Sequence, residues 1–184
     1  MDLDKAQADM RYAFYGGATG VLVSASAWLI TGLVAINFSE FSSIIVLYIA
    51  GMFIFPISIV LSKIFGRPGA NAKGNSLGFL GLESTGILIF CYPIAYAVSL
   101  VHIEWFFPAM LIFIGVRYLM FTTLYGSKVY WVFGVTLIAA GYSSAYLSVP
   151  FYMGAFIGAA IEYAFGLFIF FLHRHQCRSW LQNT

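Results

Sequence analysis

Three ionisable side chains, Glu83, Arg117 and Glu162, lie inside stretches of the chain that are otherwise apolar. At a bilayer centre such a charge costs about 2.5 kcal/mol or more, so it faces a protein interior, pairs with a partner or serves a function. Glu162 is the most isolated, because no other charged residue occurs from Tyr152 to Leu172. Gly154, Gly158 and Gly166 recur at multiples of four residues from it, which places all four on one helical face. Glycines admit a neighbouring helix at close range, so this face is expected to press Glu162 against another element. Arg117 carries a forked guanidinium that can serve carboxylates on two helices at once.

The chemistry these three offer is proton or cation binding. Two carboxylates against one guanidinium leave one negative charge, which a proton, a cation or water must balance. Glu162, the deeper of the two acids, is the expected proton-binding partner, and Glu83 the expected steady ion pair. A static brace between helices and an Arg117 that reaches alone to the membrane surface are the competing readings. Other candidates are thinner. His102 and Glu104 supply two metal ligands without a third, so no metal is expected. The loop from Arg67 to Asn75 has the wrong glycine spacing for a phosphate loop, and no cofactor is expected. His-Glu-x-x-His and Gly-x-Ser-x-Gly are both missing from the sequence, so the expectation is a protein that is not an enzyme.

The elements that must position these residues are membrane spans. The chain has 184 residues, of which 61% are hydrophobic and only 9% charged, with mean hydropathy +0.90. Soluble domains carry about 25% charged residues, so most of this surface is built to face lipid. The fold class expected is an all-α bundle of six transmembrane helices in a single domain. The spans fall at about 12–36, 42–64, 77–101, 105–124, 129–147 and 152–172, each matched to a hydrocarbon core roughly 30 Å thick. A short interfacial turn over residues 2–11 precedes the first span, and Pro56 is expected to kink the second. Gly16, Gly20 and Ser24 form a small-residue face on span 1 that could receive the Gly154 and Gly158 stripe. Glu83-Ser84-Thr85-Gly86 faintly echoes the segment starting at Glu162, the mark of an inverted repeat if it is real.

Eight of the nine lysines and arginines, all except Arg117, fall on the side shared by both termini. That bias predicts both ends in the cytoplasm and residence in the cell (cytoplasmic or inner) membrane. Trp28, Trp105, Trp131 and Trp180, with Tyr125, Tyr130, Tyr146 and Tyr152, are expected to anchor span ends at the interface. His173, Arg174 and His175 end the last span, as an anchor for anionic lipid or as a pH sensor. Cys91 and Cys177 lie too far apart along the bundle to pair. A net charge of +2 is too small and dispersed for nucleic acid. The expected partners are membrane lipid, a small solute, ion or proton, and a second copy or another membrane subunit. The expected function is transport or conduction of a small solute or ion, possible proton coupling included. A substrate-capturing or regulatory subunit of a larger complex and an intramembrane enzyme are the alternatives.

Overall fold

A lipid-facing backbone has no water to bond, so apolar runs of this length close their hydrogen bonds internally as helices. The computed structural model describes residues 2–180, with side chains as far as Arg174. It contains α1 (Leu3–Phe14), α2 (Ala18–Asn37), α3 (Glu40–Ile64), α4 (Leu77–Val101), α5 (Phe106–Tyr125), α6 (Val129–Tyr146) and α7 (Phe151–Trp180). Five stretches, Leu3–Asn37, Glu40–Ile64, Leu77–Val101, Ile103–Tyr125 and Phe151–Arg174, are long and apolar enough to cross a membrane. That number makes this a multi-pass α-helical membrane protein. α6 stands outside the five: it has 18 residues, and Tyr130, Tyr142, Ser143, Ser144 and Tyr146 dilute its hydropathy.

The first helix differs from the expected 12–36 span. Tyr15, Gly16 and Gly17 all have positive φ, at 53°, 60° and 89°, and they break the run into α1 and α2. α1 is a full 12-residue helix, with Asp2 accepting from the Leu3 amide at 2.9 Å and Ala6, Met10 and Ala13 buried. It is fixed at the end of the bundle where α5 stops. The last carbonyls of a helix lack partners within it, and here α1 supplies them: Arg11 donates to the Tyr125 carbonyl at 2.6 Å and Gln7 to that of Thr123 at 2.7 Å. The loop after α3 holds α1 from the other side. Asp9 accepts from the Ala72 amide at 2.9 Å and from the Asn75 amide group at 2.7 Å, and Asn75 also donates to the Ala6 carbonyl at 3.0 Å.

In the bundle α3 packs on α2, α2 on α7, α4 on α5 and α5 on α6, with α7 also touching α5 and α6. The most apolar windows of α3 and α4 are 17% and 22% buried against 44% for those of the first and fourth apolar stretches, so α3 and α4 are the flanking helices. Hydroxyls join α2 to α3: Thr19 and Ser62 share a 2.8 Å bond, and Ser43 donates to the Thr31 carbonyl at 3.0 Å. The small-residue face of α2 therefore divides between neighbours, with Gly20 turned toward Ser58 of α3. α5 and α6 approach at backbone level. A Cβ on Gly115 would lie 2.7 Å from the Gly134 carbonyl oxygen, one on Gly134 2.6 Å from that of Gly115, and one on Gly141 2.7 Å from that of Pro108.

Several expected anchors are interior groups. Trp28 is 1% exposed, in the middle of α2, and Tyr130 is wholly buried with its hydroxyl donating to the Gly16 carbonyl at 2.6 Å. Their neighbours, Gly158 and Gly16–Gly17, leave room that only a large ring fills. Tyr125 is buried as well, whereas Trp105, Trp131, Tyr146 and Tyr152 are exposed. His173 is buried too, its ring against Gly16 and its Nδ1 3.0 Å from the Ile169 carbonyl, so it does not face lipid. The side chains of His175, Cys177 and Trp180 lie outside the described residues.

Candidate functional site

α7 offers its glycine stripe to two helices at once. A Cβ on Gly154 would meet Phe107 of α5 at 2.6 Å, one on Gly158 would meet Trp28 of α2 at 2.8 Å and Leu111 of α5 at 3.1 Å, and one on Gly166 would meet Leu22 and Val21 of α2. Glu162 lies between Gly158 and Gly166 on this stripe, so the wedge of α7 between α2 and α5 carries it to full burial, with none of its surface exposed. Tyr118 of α5 donates to Glu162 Oε1 at 3.1 Å. Ser24 and Trp28 of α2 border the carboxylate from the other side. No side chain reaches hydrogen-bond geometry at Oε2, which is left buried without a partner.

Tyr118 is held by its own neighbours. Its ring stacks on Phe133 of α6 at 4.1 Å, Phe133 stacks on Phe165 of α7 at 4.6 Å, and Phe121 closes the edge. The phenol therefore has one direction in which to point its proton. α2, α5 and α7 contribute polar groups, and α6 contributes the aromatic wall.

Arg117 is next in sequence to Tyr118 but points elsewhere. Its Nη2 donates to Thr85 Oγ1 of α4 at 3.0 Å, its guanidinium lies 5.2 Å from the Phe121 ring centroid, and its Nε is buried with no partner. Its charge acts on Glu162 through space, yet neither carboxylate oxygen accepts a hydrogen bond from it. Glu83 is exposed. Two residues along a helix turn the side chain by roughly 200°, so when α4 aims Thr85 at α5 it turns Glu83 away. The structure thus brings Glu162 to Tyr118 and Arg117 to Thr85, and it does not join the three charges in one hydrogen-bonded cluster.

The arrangement can hold a proton or a small cation. A bare carboxylate out of water is costly unless it is paired and bonded, and here one oxygen has a single donor and the other none. Among the described residues no group of three or more His, Cys, Asp or Glu side chains comes together as a metal site. Tyr118 and Trp28 are the site residues that sequence reasoning passed over. Tyrosine and tryptophan are common at span ends, and only the positions of Tyr118, one residue from Arg117, and of Trp28, near mid-span, hinted at an inner role. Residues 3–172 match the pattern of a protein family described as a family of unknown function (DUF7010). No curated protein and no solved structure matches the chain.

Proposed function

We propose that this chain, which belongs to the DUF7010 family, is a six-span transporter or channel for a small solute or ion in which Glu162 takes up a proton or cation. Both termini lie on the cytoplasmic side. The observation that carries the reading is the carboxylate of Glu162, fully buried between α2, α5 and α7 with Oε2 unpartnered. A group kept there at such cost is one whose occupancy changes. Tyr118 holds one oxygen in place, Ser24 and Trp28 line the approach from α2, and Arg117 sets the field. The site binds and releases; no nucleophile or paired acid and base stands beside it for catalysis.

Proteoliposomes containing the protein alone test this. A potassium diffusion potential drives protons inward, and an entrapped pH dye reads them. Flux above that of empty liposomes, lost in Glu162→Gln, is the expected result. Equal flux in Glu162→Gln, or none in the wild type, overturns the proton role and favours an accessory subunit that needs its complex.

A further inference from the structure

A cavity of about 310 Å³ lies between α4 and α5, apart from Glu162, and Arg117 and Ser84 form one end of it. Its walls run through Ile87, Leu88, Phe113 and Met120 toward Cys91 and Ile112 at the other end. From Ser84 to Cys91 is seven residues of helix, or about 10 Å along the membrane normal. The volume is at the small end of ligand sites, enough for one slender chain. α4 is a flanking helix with Ile87 52% exposed, so the groove opens sideways to lipid.

The charge at its end is uncompensated. Thr85 is a neutral acceptor, the Phe121 face a weak one, and the buried Nε has no acceptor at all. Glu83 on α4 is exposed and Glu162 accepts from Tyr118 alone, so no carboxylate hydrogen-bonds the guanidinium. Two oxygens arriving together are what a guanidinium fork takes best. The groove's remaining wall is apolar.

We propose that this groove binds a single-chain amphiphilic carboxylate, a long-chain fatty acid, with its carboxylate on Arg117 and its chain running toward Cys91. The head lies nearer the membrane face where α4 begins and α5 ends, and the tail points to mid-membrane, the order in which such an amphiphile stands in a leaflet. One chain fits the volume, and a compact carboxylate reaches a guanidinium inside the hydrocarbon more readily than a bulky headgroup does. The site is independent of the Glu162 reading.

The free thiol of Cys91 reports on it. In a Cys177→Ser background, maleimide labelling of Cys91 is followed with oleate, oleyl alcohol, acetate or phosphatidylglycerol added to the micelles. Oleate alone is expected to slow labelling. Arg117→Gln should need about tenfold more oleate for the same protection, the loss of a charge-assisted pair. Should Arg117→Gln not fold, Ile87→Trp fills the groove from an exposed position without touching Arg117, and native mass spectrometry should then show no oleate adduct. Equal protection by oleyl alcohol shows a merely apolar groove, protection by acetate a small-anion site, and equal protection by phosphatidylglycerol a phospholipid site. Each of these overturns the proposal, as does an oleate adduct that survives both substitutions.

Discussion

The two oxygens of Glu162 are unequal, and the difference predicts how its neighbours respond to substitution. Tyr118→Phe removes the donor on Oε1 and leaves the whole carboxylate without a bond, at a cost of about 1–3 kcal/mol. Thermal unfolding in detergent should show it as a clear fall in Tm. Glu162→Gln acts the other way. The amide keeps an oxygen for Tyr118 and carries no charge to bury, so stability should hold or rise while pH-dependent flux disappears. A Tyr118→Phe protein as stable as wild type would mean that water or a cation already serves Oε1. Glu162 could be found from the sequence because a lone charge in an apolar run needs no context to stand out. Its partners could not, because a hydroxyl or an indole has no cost that marks it until the fold shows which face it occupies. Glu83 fell out of the contact for the same reason: its depth was legible, its azimuth was not.

Between helices, glycine spacing was legible and glycine partners were not. The stripe on α7 is regular at four residues and packs closely, but it meets Trp28, Leu111 and Leu22, not the glycines of α2. Small against large fills space as well as small against small, and the stripe alone does not tell them apart. The backbone-level contact lies at Gly115, Gly134 and Gly141, where two helices joined by a short turn at Gly126–Lys128 run side by side. Gly134→Ala puts a methyl 2.6 Å from the Gly115 carbonyl oxygen and must force α5 and α6 apart, at about 1–3 kcal/mol. Gly86→Ala is the control, since nothing lies within 4 Å of the added carbon. Tm should fall for the first and hold for the second. Equal Tm values would mean that the α5 and α6 backbones do not meet. The break at Tyr15–Gly17 escaped sequence reading because Gly16 and Gly17 read equally well as packing residues within a helix. What decides it is positive φ at three successive residues, which no helix accommodates.

For the whole molecule the open quantity is parity, and it rests on α6. If α6 crosses, the chain makes six passages, its two ends share a side, and all eight lysines and arginines other than Arg117 share it with them. If α6 stays on one side, there are five passages and Arg174 is carried to the face opposite Lys5 and Arg11, against the bias that orients such proteins. Three physical facts favour crossing. Eighteen residues of helix span about 27 Å, close to a hydrocarbon core of roughly 30 Å. α6 packs along α5, which is long and apolar enough to cross, and the close contacts at Gly115–Gly134 and Pro108–Gly141 span much of its length. Tyr130 near its first end and Tyr146 at its last place amphipathic rings where two interfaces would lie, though Tyr130 is turned inward and only Tyr146 is exposed. Single cysteines in a Cys91→Ser, Cys177→Ser background measure it directly. With an impermeant maleimide on sealed right-side-out vesicles, Ser39→Cys and Ser148→Cys should label and Ser127→Cys should label only after permeabilisation. Ser127→Cys and Ser148→Cys on the same side would make α6 a helix that does not cross, and Ser39→Cys with Ser127→Cys on one side would remove the six-span topology altogether. The outcome also bears on Glu162, because a five-pass chain would invert α7 relative to α5 in the membrane, and the pairing of Tyr118 with Glu162 at one depth requires α5, α6 and α7 to cross in turn.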